Sequence, residues 1–154
     1  MDGCYRLIKP VNIEAVRPLM DRLPFMFVNQ GSVDKCVCKA LIETQFPPEL
    51  KELIKGLNLG GRQGRAVLRM LPRKQGIPPH TDTWMPAEEN WRRFQLPIIT
   101  EPSILMRWPD DNIEVHLEQG ILYEVNFQKT HEVVNNQDQV ERIHLQIDQI
   151  DATI

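Results

Sequence analysis

The sequence predicts a mainly β protein, a jelly roll with N-terminal helices laid on one face. Three observations carry this. From about residue 66 onward, short apolar runs alternate with turn residues, as in a sandwich, barrel or jelly roll. The helix-patterned segments all lie before that point. Two strands, Arg93–Leu96 and Arg142–Asp148, alternate between polar and apolar side chains, the period-two signature of a sheet with two different faces.

Taken in order, Tyr5-Arg6-Leu7-Ile8 reads as a short strand stopped by Pro10, and Phe25-Met26-Phe27-Val28 as an apolar run after Pro24. Ser32 reads as the N-cap of a helix running to about Glu43, with Val33, Cys36, Val37, Ala40 and Leu41 as its apolar stripe. Pro47-Pro48 opens a second helix, Glu49 to about Leu57, before Gly60-Gly61. Strands follow at Ala66–Leu71, Arg93–Ile99, Ser103–Trp108, Ile113–Leu117, Ile121–Val125 and Val140–Ile147. Pro109-Asp110-Asp111-Asn112 and Glu118-Gln119-Gly120 supply the turn chemistry between three of them. We expect one domain, 1–154, with a mixed α/β part over 1–62 and a jelly-roll core over 63–150.

Composition narrows the function class. A chain of 154 residues with 42% hydrophobic and 25% charged residues is that of a soluble globular domain, without an 18-residue apolar run to span a membrane. Its N-terminus lacks the basic-then-apolar build of a secretory signal. A net charge of -3 argues against general nucleic-acid binding. Cys4, Cys36 and Cys38 are odd in number and lack redox-pair or zinc-knuckle spacing, so we read them as reduced thiols in a cytoplasmic protein.

The chemistry centres on Pro79-His80-Thr81-Asp82, answered by Thr130-His131-Glu132-Val133. In an extended strand His80 and Asp82 point to the same side, and His131 can add a second imidazole. Two histidines and one carboxylate on one face of an octahedron leave Fe(II) with open positions. In Arg142-Ile143-His144-Leu145-Gln146-Ile147-Asp148 one face is wholly polar, and Arg93-Phe94-Gln95-Leu96 splits in the same way. These polar faces either meet water or line a cavity inside the barrel, and alternation alone fits both. His116 reads as an ordinary strand residue. His144 and Trp84 share the parity of the site residues, but each also fits a structural role. Arg62, Arg65, Arg69, Arg73 and Lys74 form a basic run whose usual reading is a solvated face and whose minority reading is capture of an anion.

With those segments in place, the chain resembles the aspartyl/asparaginyl β-hydroxylase-like branch of the 2-oxoglutarate/Fe(II)-dependent oxygenases. Pro79–Asp82, Arg93–Ile98, Thr130–Asn136 and Arg142–Asp148 carry the resemblance, in order and spacing, over roughly residues 66–150. The resemblance implies a cupin-like double-stranded β-helix that binds Fe(II) through His80, Asp82 and His131. It implies that Arg142 holds the far carboxylate of 2-oxoglutarate and that Arg93 assists; Arg92 would face the other way. The activity implied is hydroxylation of a small molecule or an amino-acid side chain by molecular oxygen, coupled to decarboxylation of 2-oxoglutarate to succinate. Two other readings stand beside it: a non-catalytic metal-binding jelly roll that senses or binds, and a zinc hydrolase at the same ligands. The last is disfavoured because no general base is evident beside the three residues.

Overall fold

The computed structural model describes residues 3–27, 38–82, 85–86 and 89–154. Its ten strands form two antiparallel sheets. The larger comprises β1 (Tyr5–Pro10), β2 (Lys39–Ile42), β3 (Arg62–Leu71), β5 (Trp91–Ile99), β8 (Ile121–Val125) and β10 (Arg142–Ile150), in the order β1-β8-β5-β10-β3-β2. The smaller comprises β4 (Ile77–His80), β6 (Leu105–Trp108), β7 (Ile113–Val115) and β9 (His131–Val134), in the order β4-β9-β6-β7. The strands drawn from the first 62 residues are thus the two edges of the large sheet.

Two α-helices are described, α1 (Leu23–Met26) and α2 (Pro48–Leu57). Pro48 occupies the first turn of α2, where its missing N–H costs nothing. The helix stops at Asn58, which takes a left-handed conformation with φ 52°. One face of α2 buries Leu50, Ile54 and Leu57. They join a core built from the outward faces of the central strands: Leu68 and Met70 of β3, Phe94, Leu96 and Ile98 of β5, Ile143, Leu145 and Ile147 of β10. Each fully buried aliphatic contributes about 1.5–3 kcal/mol by leaving water.

The other face of the same sheet is polar, yet no less buried. Every residue of β10 from Arg142 to Ile150 is buried, because β3 and β5 flank it and the small sheet lies over its polar side chains. The polar alternation therefore lines a cavity, and the aliphatic one packs under the helices.

One sequence expectation needs correction. Of the helix expected from Ser32 to Glu43, residues 32–37 lie outside the described residues, but Lys39–Ile42 is a strand. Ala40 and Leu41 do not continue a helical stripe; they pair with Arg69 and Leu68 of β3, and Leu41 enters the core from the edge of the sheet. Edge pairing and burial of one side chain override a weak helical spacing. The run beginning at Phe25 is the end of α1, with Pro24 in its first turn. Smaller differences concern ends: β3 begins at Arg62 and β10 runs on to Ile150.

Candidate metal centre and anion pocket

Two strand ends carry two of the candidate metal ligands. His80 closes β4 and His131 opens β9, and antiparallel register sets them directly opposite each other, with ring centroids 4.3 Å apart. Asp82, two residues past the end of β4, is anchored by its own N–H, which donates to the carbonyl of Phe127 at 3.1 Å. One ligand atom from each of His80, Asp82 and His131 lies within 4.8 Å of the other two.

Both imidazoles are oriented by the same local device. The Nδ1 of His80 meets the carbonyl of Pro78 at 2.8 Å, and the Nδ1 of His131 meets the carbonyl of Lys129 at 2.9 Å. A carbonyl only accepts, so each Nδ1 carries the hydrogen and each Nε2 presents a lone pair to the centre. Pro78 has no N–H to offer β9, and the pairing of β4 is irregular between Ile77 and His80. Burial pushes the pKa of His131 below its ordinary value, which keeps the ring neutral and able to ligate. Burial raises that of Asp82, but the guanidinium of Arg93 outweighs this and holds the carboxyl below the usual range.

Arg93 is one link in a buried ionic chain. Its Nη1 donates to Asp82, and its Nε donates to Asp148 at 2.6 Å. Arg65 reaches the same Asp148 at 2.9 Å. Asp148 faces Arg93 across one strand boundary and Arg65 across the other, so register alone assembles this triad. Arg92 points to the opposite face, where it pairs with Glu124 at 2.8 Å.

Beside the three ligands a cavity of about 270 Å³ opens, lined by Arg69, Arg93, Gln95, Arg142, His144 and Gln146 from the large sheet and by Ile77, Met106 and Val133 from the small one. Arg142 is 5% exposed and has no ion pair among the described residues; its one partner is the side-chain oxygen of Gln95, at 3.3 Å. Burial pushes its pKa down to about 10. The Nδ1 of His144 meets the same oxygen at 3.0 Å and must donate to it. Its Nε2 is therefore a bare acceptor, buried and without a hydrogen-bond partner among the described residues. Burial pushes His144 well below its ordinary pKa, with Arg142 acting in the same direction, so the ring is neutral.

Each sequence-predicted site residue can now be placed. His80, Asp82, His131, Arg93 and Arg142 all line this one cavity, and so does His144. His116 does not; its Nδ1 bonds the carbonyl of Ile104 at 3.1 Å. Trp84 and Cys36 lie outside the described residues. Cys4 and Cys38 are both buried. Of the basic run, Arg62 pairs with Glu89, Arg65 with Asp148, Arg73 with Glu141 and Lys74 with Asp138, while Arg69 turns into the cavity. Sequence reading passed over Gln95 as a site residue, although it stands two places after Arg93 on the same polar face.

The donor set fits a metal. Two imidazoles locked with their Nε2 lone pairs inward and a carboxylate held ionised supply three ligands on one side of an ion, the pattern suited to ferrous iron. Among the described residues, a buried guanidinium without a counter-ion lies next to an unpartnered buried imidazole nitrogen, an arrangement able to receive an anionic ligand. Fold and site together define a jelly-roll protein with a two-histidine-one-carboxylate cluster and an adjoining cationic pocket.

The chain belongs to the aspartyl/asparaginyl β-hydroxylase family, whose model matches residues 25–151, further toward the N-terminus than the motifs that carry the resemblance. The viral collagen prolyl hydroxylase of Paramecium Bursaria Chlorella virus-1, solved as its 2OG complex, superposes with a TM-score of 0.64 at 8% identity, over 99% of this chain and 98% of that one. A prolyl-4-hydroxylase from Pseudomonas putida gives 0.64 at 14% identity, over 99% and 95%. At these identities the likeness is one of fold. A search of curated proteins by sequence gives no match. Among the described residues no helix is long and apolar enough to cross a membrane.

Proposed function

We propose that this chain, acting as a single domain in the cytoplasm, is a 2-oxoglutarate- and Fe(II)-dependent hydroxylase of a small molecule or an amino-acid side chain. The observation that carries the reading is Arg142, a buried guanidinium without a carboxylate among the described residues, in the same cavity as the three-ligand cluster. A metal-binding module would need the cluster and not the cation. A zinc hydrolase would need a general base, and Asp148, the other carboxylate close to the cluster among the described residues, is fully buried under two arginines.

His80, Asp82 and His131 would hold the metal, and Arg142 would take the far carboxylate of 2-oxoglutarate. Ferrous iron and 2-oxoglutarate together supply oxidising chemistry, in which oxygen converts 2-oxoglutarate to succinate and carbon dioxide and one oxygen atom enters a C–H bond of the substrate. The protein's own part is placement. The carbonyls of Pro78 and Lys129 fix the imidazoles, and Arg93 keeps Asp82 ionised and aimed. Gln95 orients Arg142 until a carboxylate takes over the guanidinium, whose planar fork matches an anion with two oxygens. Ile77, Met106 and Val133 make the facing wall apolar, which strengthens every charge interaction inside.

The test is anaerobic addition of Fe(II) and 2-oxoglutarate, followed by admission of air. A visible metal-to-ligand charge-transfer band and then succinate are expected. Neither band nor succinate would leave a binding module as the better reading, and zinc-supported hydrolysis without 2-oxoglutarate would favour the hydrolase.

A further inference from the structure

Besides Arg93 and Arg142, the cavity holds a third guanidinium, which the proposed cosubstrate does not use. Arg69 lies on β3 directly opposite His144 of β10, so its side chain enters the cavity one pleat nearer the metal ligands than Arg142, which stands opposite Leu71. It is half-buried, and no hydrogen bond or ion pair engages it among the described residues, although its neighbours in the basic run have carboxylate partners. Ala40, its partner on β2, is too short to cover it. Burial pushes its pKa down, and Arg65 and Arg93 push the same way against the opposing influence of Cys38 and Asp82.

Counting charge around the cavity sharpens the point. Among the described residues four guanidiniums, of Arg65, Arg69, Arg93 and Arg142, face two carboxylates, of Asp82 and Asp148. A ferrous ion would add two positive charges and 2-oxoglutarate would remove two. The excess of two positive charges survives, in a protein whose net charge is -3. A cosubstrate that is itself a dianion leaves it in place, so the other occupant of the cavity is the candidate to reduce it.

We propose that Arg69 receives a carboxylate of the substrate, and that the substrate is a free amino acid or another small carboxylic acid whose reacting C–H bond lies within reach of that carboxylate. The class rests on the oxygenase reading above, while the anion site itself does not. Arg142, deep in the cavity and shared with Gln95, keeps the cosubstrate. Arg69, nearer the metal ligands and more exposed, orients the molecule to be oxidised.

The experiment compares wild type with Arg69→Gln and Arg69→Lys. The probes are the free L-amino acids and short aliphatic carboxylic acids at millimolar concentration, each paired with its carboxamide. With Fe(II) and 2-oxoglutarate bound anaerobically, at least one acid is expected to perturb the charge-transfer band and then stimulate succinate release, its amide being weaker by about tenfold or more. Arg69→Gln should bring the acid down to the level of the amide, and Arg69→Lys should recover part of the difference. The 2-oxoglutarate titration of both variants should stay within about threefold of wild type. Calorimetry of the same acid–amide pairs on metal-free protein tests the anion site even if no charge-transfer band forms, so failure of the oxygenase reading is told apart from failure of this one. Three results would each overturn the proposal: acids and amides that act alike, no response to any acid, or an Arg69→Gln variant that loses 2-oxoglutarate instead.

Discussion

The two faces of the large sheet are buried to the same degree and built on opposite principles. Phe94, Leu96, Leu145 and Ile147 face the helices, and their burial is its own justification. Arg93, Gln95, Arg142, His144 and Asp148 face the small sheet, and each must find a partner or leave a cost unpaid. Arg93 and Asp148 find each other. Arg142 and His144 are left with one shared amide oxygen between them. Burial therefore does not separate scaffold from site in this protein, whereas incomplete satisfaction of buried polar groups does.

Substitutions on each face test that division, and the largest effect should come from the ligand set. Asp82→Ala removes the anionic ligand: turnover should fall to background and iron retention in equilibrium dialysis should drop, with the far-ultraviolet dichroism of the fold preserved. On the helix-facing side, Leu145→Ala should cost about 2–5 kcal/mol of stability by denaturant titration, while the 2-oxoglutarate affinity of the folded fraction is unchanged. Arg142→Met should do the reverse. Loss of a charge-assisted pair worth about 1.5–3 kcal/mol raises the 2-oxoglutarate dissociation constant roughly 10- to 150-fold, and Arg142→Lys recovers only part of it. Because Arg142 is a buried charge lacking an ion pair, its loss should leave Tm unchanged or higher. A variant losing both stability and cosubstrate affinity at either position would erase the distinction.

The polar face should also set the acid limit of the metal-free protein. His131 and His144 both have folded pKa values below the ordinary 6.5, chiefly through burial. Below that pH the unfolded imidazoles take up protons that the folded ones refuse, so stability is present above about 6.5 and lost as pH falls. Each histidine should cost about 1.4 kcal/mol per pH unit until its folded pKa is reached. A series of Tm values from pH 7.5 to 5 would show the slope, and His144→Gln should reduce it. The smallest effect belongs to His116→Ala, which should change neither iron binding nor cosubstrate affinity. Loss of iron there would mean that the ligand set is wrong.

What could be read in the sequence follows the same division. His80, Asp82 and His131 were legible because their spacing needs only one strand and one register, and that register sets the two histidines opposite each other. The polar face of β10 was legible as alternation, but its direction was not, since a cavity-lining face and a solvated face have the same period. Arg69 was hidden in a run of cations whose partners, Asp148 and Glu141 among them, come from the far end of the chain. Only the pairing of β3 with β10 singles it out. The edge strand β2 was misread because a short segment with apolar residues three and four apart satisfies a helix and an edge strand equally well.

The strand β4 carries a consequence for how a metal held by the proposed ligands would exchange. It is the edge of the small sheet, two of its four residues are prolines that donate no backbone hydrogen bond, and it pairs with β9 at Ile77 and His80. β10, which carries Arg142, lies between β3 and β5 with neighbours along its whole length. Amide hydrogen exchange should thus be fast along β4 and slowest in β10, separating local fraying from global opening. Iron would then leave by release of His80 and Asp82 from the edge, at a rate set by that small opening and insensitive to mutations that weaken the helix-covered core. A protein kept without metal would still hold the Arg142 floor in shape, ready to be reloaded without refolding.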